Sequence, residues 1–321
     1  MKKIKFISKL SLIAFALFAT VSCDDNNDPV KQPETIAEIA AATPGFETLV
    51  AALDRAGLVE TLNSPGAYTV FAPTNTAFQA FLSANNFANL NAIPVNVLKQ
   101  VLLNHVVAGK NLSTSLSTGY VNTLATYSDT KLNLSMFINT AGGVKLNGVS
   151  KVTTADINAT NGVIHIVDAV IGLPTVVTFA TADPTFSTLV AALTRESSFT
   201  FVSTLSKTEA PAPFTVFAPT NAAFTSLLSE LELTDLAAIP TEILSATLSM
   251  HVLAGANVQS SALTNDMTIN TLGGPITAYT TGGATLKDAN NRVSKIVAVN
   301  VQAVNGVIHV IDTVILPPLG K

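Results

Sequence analysis

The sequence predicts an α+β fold that is used twice in tandem. Three observations predict it: long blocks of sequence recur, helical periodicity dominates the first half of each copy, and short glycine-separated strand patterns dominate the second half. Helices mainly first and strands mainly last are typical of α+β domains. We assign residues 34–172 to domain 1 and residues 173–318 to domain 2.

The composition of the 321 residues excludes several classes of protein. The chain is 48% hydrophobic and only 12% charged, so burial can offset the entropy of ordering and disorder is excluded. Acidic residues outnumber basic ones by 21 to 17, which excludes a basic nucleic-acid surface. The single cysteine excludes a disulfide within the chain.

The N-terminus has the layout of a bacterial export signal. A lysine-rich head is followed by a mostly apolar stretch, residues 10–21, which is too short to span a membrane. We therefore predict a signal peptide at residues 1–22. The sequence Thr20-Val21-Ser22-Cys23 resembles the lipobox of bacterial lipoproteins, although Thr20 replaces the usual leucine. The resemblance implies that Cys23 is lipidated and attaches the protein to the lipid bilayer.

Residues 23–33 form a predicted tether, because they are polar and acidic and have no apolar periodicity. The acidic run after Cys23 resembles the surface-export signal of lipoproteins in the Bacteroidetes group. The predicted location is the bacterial cell envelope, lipid-anchored at the outer membrane and surface-exposed. The alternative is an ordinary secreted protein that is cleaved near Ser22 and keeps a free thiol.

Internal repetition is the strongest signal in the chain. The two copies lie about 145 residues apart, which is the size of a domain and not of a solenoid unit. Almost no linker separates them, so we expect a stiff joint. The recurring blocks pair residues 46–53 with 186–193, 69–75 with 215–221, 105–109 with 251–255, and 161–168 with 305–312.

The elements of the first copy follow from apolar spacing and from capping residues. Residues 46–53 have the i, i+3, i+4, i+7 spacing of a helix, and Gly57 ends it. Residues 68–72 are apolar on both faces, as in a buried strand. Thr74 can cap a second helix that begins near Ala77.

The remaining elements change from helix to strand. Pro94 suits the first turn of a third helix, which Gly109 closes. Short strands are predicted at residues 131–138 and 144–146. Asn161-Gly162 predicts a hairpin turn directly before a strand at residues 163–170.

The recurring blocks resemble the fasciclin (FAS1) domain. Thr-Val-Phe-Ala-Pro-Thr-Asn-x-Ala-Phe and Asn-Gly-Val-Ile-His-x-x-Asp stand in both copies and look like the family's two homology blocks. The resemblance implies a wedge of strands with helices packed at one side, and membership among secreted or membrane-anchored adhesion proteins. One motif departs from the family: Asn104 and Met250 stand where the family has a tyrosine before histidine.

The four histidines occupy equivalent positions in the two copies: His105 with His251, and His165 with His309. One hypothesis is a metal or acid–base site that pairs His165 with Asp168, and likewise His309 with Asp312. Residues three apart on a strand point to opposite faces, which argues against a shared ligand. We therefore interpret these six residues as a structural motif with hydrogen-bonded core histidines.

No catalytic motif is recognisable, so we predict no enzyme, no cofactor and no metal site. The Ser/Thr/Asn-rich segments 111–120 and 257–266 are the best candidates for binding an extracellular protein or glycan ligand. The predicted function is non-catalytic adhesion between cells or to matrix or biofilm. The alternative is an envelope accessory protein that captures a small ligand or polysaccharide, which a concave apolar pocket would favour.

Overall fold

The computed structural model describes residues 34–128 and 130–318. The predicted signal peptide, Cys23 and the tether lie outside the described residues. Among the described residues, no single helix is long and apolar enough to cross a membrane, and only the bent pair Val176–Ala182 and Pro184–Leu193, at 94°, meets that test as a pair.

Within the described residues, each copy contributes five α-helices, and most of them are short. Threonine caps open several: Thr74 accepts from the Ala77 N–H at 3.3 Å, and Thr220 accepts from the Ala223 N–H at 3.2 Å. The helices are α1 (Ile36–Ala42), α2 (Glu47–Arg55), α3 (Val59–Asn63), α4 (Asn75–Ala84), α5 (Val95–Leu103), α6 (Val176–Ala182), α7 (Ser187–Leu193), α8 (Phe201–Leu205), α9 (Asn221–Glu230) and α10 (Thr241–Ser249).

The described part of each copy also contains seven strands, which come mainly after the helices as the sequence predicts. The strands are β1 (Tyr68–Pro73), β2 (Val106–Ala108), β3 (Gly119–Thr126), β4 (Asn133–Asn139), β5 (Lys145–Leu146), β6 (Ser150–Ala159), β7 (Gly162–Val167), β8 (Phe214–Pro219), β9 (Val252–Ala254), β10 (Met267–Thr271), β11 (Gly274–Tyr279), β12 (Thr285–Lys287), β13 (Val293–Ala303) and β14 (Gly306–Ile311).

The strands of domain 1 close into a barrel. Strand β1 pairs parallel with β7 and antiparallel with β2, and the remaining neighbours follow chain order. Domain 2 has the same order in a seven-stranded sheet, with β14 parallel to β8, but without ladder pairing between β9 and β10. The parallel pair joins the two recurring motifs of each copy side by side.

Alternation along the parallel pair separates two apolar layers in domain 1. Val70, Ala72 and Ile164 face the helices, whereas Phe71 and Val167 face the interior of the barrel. Helices therefore cover one side of the strands and the other side is filled by barrel side chains. Domain 2 repeats both layers. This architecture confirms the predicted α+β class.

Several predicted boundaries were wrong. The third helix ends at Leu103 and not at Gly109, because Val106 and Val107 pair with β1 as strand β2. The last strand ends at Val167 and not at residue 170. Gly162 is its first residue, so the hairpin turn consists of Thr160 and Asn161.

Gly162 is required by a close approach and not by the turn. Its φ is +156°, and a Cβ there would overlap the Tyr68 carbonyl oxygen of the neighbouring strand. Likewise, a Cβ at Gly306 would overlap the carbonyl oxygen of Phe214. Only glycine lets the parallel strands pair this closely.

The two domains share a buried joint. Phe137 belongs to the core cluster of domain 2, and Tyr120 packs between Phe137 and Phe179 at centroid distances of 5.0 and 5.5 Å. At Gly148, a Cβ would lie 3.1 Å from the Cβ of Ala182, so the backbones approach closely there. The two domains are thus joined by packed core side chains and not by a linker.

Candidate functional site

His105 and His251 lie directly after α5 and α10 and are buried. The Nδ1–H of His105 donates to the Val101 carbonyl at 2.7 Å, and its Nε2 accepts from the Ile171 N–H at 2.9 Å. His251 repeats this arrangement with Thr247 at 2.8 Å and Ile315 at 3.1 Å. Each ring is therefore a neutral tautomer. It links the segment that follows the last strand of its domain to a helix.

Burial sets the charge of these two rings. Desolvation lowers the pKa of His105 and that of His251 to about 4, and at His251 the Arg292 cation lowers it further. At neutral pH both rings are uncharged, and both nitrogens of each are already bonded. Neither ring has a nitrogen free for a ligand.

His165 lies on β7 inside the barrel of domain 1. Its ring stacks on Phe71 at 5.4 Å, its Nε2–H donates to the Asn111 carbonyl at 2.9 Å, and its Nδ1 accepts from the Asp156 N–H at 3.2 Å. The ring thereby fixes the segment that follows β2. The carboxylate of Asp156 lies 3.9 Å from Nδ1 and is held by the N–H and hydroxyl of Ser113.

His309 is the equivalent residue on β14. Its ring stacks on Phe217 at 5.8 Å, and its Nε2–H donates to the Val258 carbonyl at 2.9 Å. Its buried Nδ1 has no hydrogen-bond partner among the described residues. Burial lowers the pKa of His309, which keeps this ring neutral.

Asp168 and Asp312 lie beyond the ends of their strands and are exposed. Each accepts a backbone N–H of the neighbouring strand, from Lys151 at 2.7 Å and from Lys295 at 2.8 Å. The structure therefore directs the carboxylates to the strand edge and the histidines to the interior. Within residues 34–128 and 130–318, no group of three His, Cys, Asp or Glu side chains could hold a metal ion.

The sequence interpretation missed the role of Asn161 and Asn305, which it took only as a turn signal. Asn161 Oδ1 accepts the Ile36 N–H at 2.9 Å, and its Nδ2 donates to the carbonyls of Leu62 at 2.7 Å and Ser64 at 3.1 Å. One amide thus joins the start of α1, the end of α3 and the last hairpin. The repeat of the asparagine at the same place in both copies was the available signal.

Asn305 makes the same three bonds in domain 2. It accepts the Val176 N–H at 2.9 Å and donates to the carbonyls of Leu205 at 2.7 Å and Lys207 at 2.8 Å. Both asparagines are buried, so their bonds are structural.

The positions that depart from the family motif are interior. Asn104 is fully buried, donates to the Gly172 carbonyl at 3.0 Å and accepts from the Thr123 hydroxyl at 3.3 Å. Met250 is also fully buried, in the second core cluster of domain 2. Neither side chain is available to a partner.

The predicted binding segment 111–120 has two different faces. Tyr120, the last residue of the segment, packs in the joint between the domains. Asn111 and residues 115–117 border a cleft of about 370 Å³ in domain 1, together with residues of strands β2 and β3. This volume is within the range of small-molecule sites. A smaller apolar cavity of about 90 Å³ lies between the helices and the sheet of domain 2.

Comparison with known proteins identifies the fold. The model of the fasciclin domain matches residues 44–174 and 184–317. The chain belongs to the fasciclin domain family. The tandem FAS1 architecture expected from the sequence is thereby confirmed, and fasciclin domains are found in adhesion proteins.

Several relatives match one fasciclin domain. Protein sll1483 of Synechocystis sp. is 44% identical over 139 residues, which cover 43% of this chain and 72% of that protein. Immunogenic protein MPB70 of Mycobacterium bovis is 33% identical over 146 residues, which cover 44% of this chain and 70% of that protein.

Other matches cover both domains. Transforming growth factor-beta-induced protein ig-h3 of Oryctolagus cuniculus is 28% identical over 87% of this chain and 42% of its own length. A solved FAS1 domain pair from the insect cell adhesion molecule Fasciclin I matches with a TM-score of 0.49 and 19% identity, over 85% of this chain and 97% of that one.

Proposed function

We propose that this protein is a lipid-anchored, extracytoplasmic lipoprotein whose two fasciclin domains bind surface partners without catalysis, in adhesion between cells or to matrix or biofilm. The joint is the observation that carries the proposal. Tyr120 and Phe137 of domain 1 pack into the core of domain 2, so the pair presents its surfaces as one body. A rigid unit loses little entropy when it binds, which suits an adhesion module.

The bonding of the histidines supports a non-catalytic role. Acid–base catalysis needs a titratable group within reach of substrate and with a pKa near the working pH. His105 and His251 are buried, their pKa is near 4, and both nitrogens of each are bonded within the protein. Asp168 and Asp312 are bonded to backbone N–H groups and lie apart from the rings.

Anchoring through Cys23 is proposed from the sequence. The residues between Cys23 and the start of the described chain would reach about 35 Å when fully extended. That reach would hold the fasciclin pair close to a membrane surface while leaving its loops accessible.

The second candidate function is capture of a small ligand or polysaccharide for an envelope system. The cleft of about 370 Å³ in domain 1 favours it, because a flat adhesion surface does not need one. The two functions are compatible if the captured molecule belongs to a neighbouring cell or to the matrix.

A protease experiment on intact cells tests the proposed location. Cells carrying the wild-type protein or Cys23→Ala are treated with protease and followed by immunoblot, with a periplasmic protein as control. Loss of the wild-type band, with the control protected and the Cys23→Ala protein released from the membrane fraction, supports a lipid-anchored surface protein. A protected wild-type band contradicts surface adhesion and favours capture in the periplasm.

A further inference from the structure

The apolar cavity of domain 2 lies between helices α6, α7 and α8 on one side and the sheet on the other. Its volume is about 90 Å³, and it extends from Ile308 on β14 to Thr194 after α7. Of the described residues that line it, all are apolar except Thr181 and Thr194. Apolar cavities of this kind stay dry and accept apolar molecules. The cavity is therefore a candidate site for an apolar ligand.

The cavity reaches the surface between α6 and the end of α7. Thr181 and Thr194 both line it and are exposed. Their hydroxyls are already bonded locally, Thr181 to the Val177 carbonyl at 2.9 Å and Thr194 to the Val190 carbonyl at 2.8 Å. Among the described residues, no charged side chain lines the cavity. An apolar molecule can therefore enter without removing water from a charge or from an unpaired hydroxyl donor.

Domain 1 divides the same region into two spaces. Its inner cavity measures only about 20 Å³ and is lined by Leu49, Leu53 and Leu62. Its outer groove is lined by Val50, Asp54 and Val59. In domain 2 the equivalents of both sets line one cavity: Leu189, Leu193, Leu205, Val190, Thr194 and Val202. Domain 2 therefore has a passage from the surface to the core that domain 1 lacks.

Two side chains distinguish the two copies at the ends of this passage. Val176 is equivalent to Ile36, since the N–H groups of both bond to the equivalent asparagines. The smaller valine leaves more space at the inner end. Thr194 follows the recurring block where Asp54 follows it in domain 1. A carboxylate at the mouth would oppose the entry of an apolar chain, because the charge would lose water.

The size of the cavity selects the shape of the ligand. A cavity of about 150 Å³ accepts a benzene ring. The cavity of domain 2 is smaller, about 90 Å³, and leads inward from a mouth between helices. These dimensions suit the narrow end of an unbranched alkyl chain better than a ring. Each methylene that moves from water into such a site raises the affinity about fourfold.

We propose that the apolar cavity of domain 2 is a binding site for the end of one unbranched alkyl chain, and that domain 1 lacks such a site. The polar end of the ligand would remain at the mouth, beside Thr181 and Thr194. The inference goes beyond the proposed function, because neither adhesion nor the cleft of domain 1 requires an apolar ligand in domain 2.

The test uses the whole chain with Cys23→Ala, so that no acyl chain of its own competes. Binding of 1-butanol, 1-pentanol and 1-hexanol is measured by calorimetry and located by NMR, and 1-adamantanol is the wide comparison. We expect the affinity to rise about fourfold with each methylene. We also expect shifts of the Ala180, Val190 and Val202 amide signals with the three linear alcohols and not with 1-adamantanol.

Three results would overturn the proposal. The first is the absence of shifts at Ala180, Val190 and Val202 with all three linear alcohols. The second is an affinity that does not rise with chain length, which would contradict burial of the chain. The third is equal binding of 1-adamantanol, which would show that the site does not select a narrow ligand.

A variant that fills the cavity separates this site from the rest of the surface. Val176→Ile should weaken 1-hexanol binding at least tenfold while the protein stays folded, which circular dichroism checks. The matched control Ile36→Val changes the equivalent residue of domain 1 and should leave the affinity unchanged. Equal binding by the wild type and by Val176→Ile overturns the assignment. If Val176→Ile does not fold, the shifts without this substitution decide the location.

The same alkyl chain could come from a free amphiphile or from a membrane lipid, and vesicles of phosphatidylethanolamine separate these sources. Sedimentation of the Cys23→Ala chain with vesicles, abolished by Val176→Ile, would assign the site to a membrane lipid. Shifts with 1-hexanol but no sedimentation with vesicles would assign it to a free amphiphile. Sedimentation that Val176→Ile leaves unchanged, without shifts from any linear alcohol, overturns the site.

Failure of this inference is distinct from failure of the proposed function. If the purified chain binds no linear alcohol while intact cells still lose the protein to protease, the proposed surface location stands and the cavity is not a site. If the protein is protected from protease and its cavity binds 1-hexanol, the site stands and surface adhesion does not.

Discussion

The hydroxyl of Tyr120 in domain 1 donates to Oδ2 of Asp183 in domain 2 at 3.0 Å. Asp183 is buried, and its other oxygen accepts the N–H and hydroxyl of Thr185, at 2.9 and 2.7 Å. Burial, with Asp183 beside it, raises the pKa of Tyr120, so the phenol stays protonated and remains a donor. This hydrogen bond therefore connects the two domains directly, beside the aromatic contacts of the joint.

Replacing Tyr120→Phe should destabilise the protein by about 1–2 kcal/mol. The ring contacts remain, but a buried carboxylate oxygen loses its donor. Urea unfolding followed by circular dichroism measures the change. Thr268→Ala is the control, because Thr268 holds the equivalent position on β10 and is exposed. An unchanged unfolding midpoint for Tyr120→Phe would show that the hydrogen bond does not stabilise the joint.

Stability should fall as the pH drops below about 6.5, the range in which a histidine of an unfolded chain takes up a proton. The folded pKa of His105 and of His251 is lowered to about 4, so the folded state binds fewer protons than the unfolded state between these pH values. Each ring then costs up to about 1.4 kcal/mol per pH unit. Above the pKa that these histidines have in the unfolded chain, the stabilisation from the two neutral rings is fully present.

Urea unfolding at intervals from pH 7 to pH 5 measures this slope, in a range above most carboxylate titrations. His251→Gln keeps a donor and an acceptor but does not titrate. We expect it to be less stable at pH 7 and to lose less stability on acidification. A slope equal to that of the wild type would assign the pH dependence to other groups.

Asn161→Ala and Asn305→Ala should each cost about 3 kcal/mol. Each substitution leaves a helix N–H and two carbonyls without the amide partner, and the N–H and one of the carbonyls are buried with it. Thermal unfolding of both variants measures the loss. Asn158→Ala is the control, since that asparagine is exposed on β6. A loss as small as that of Asn158→Ala would mean that water replaces the amide.

The sequence was enough to predict the duplication and the α+β class, because both depend on local periodicity and on repeated blocks. The burial of His165 followed from alternation along its strand with Val163 and Val167. Strand β2 was missed because Val106 and Val107 continue the helical spacing of α5 in the sequence. Their pairing with β1, which the sequence does not show, makes them a strand. Long-range pairing overrides local pattern at such a position.

Neither the joint nor the hydrogen bonds of Asn161 to residues far away in the sequence could be predicted in this way. Tyr120 meets Asp183 and Asn161 meets Ile36 only after the whole domain has folded, and no local pattern marks those contacts.

The apolar cavity of domain 2 leads to the last prediction. Val176, the first residue of α6, lines this cavity of about 90 Å³, whereas its equivalent Ile36 lines one of about 20 Å³ in domain 1. Val176→Ile should therefore fill space and stabilise the protein by about 1 kcal/mol. Ile36→Val should cost about the same amount. Thermal unfolding of both variants measures the pair of effects, and destabilisation by Val176→Ile would show that α6 and α8 pack too tightly to accept the added methylene.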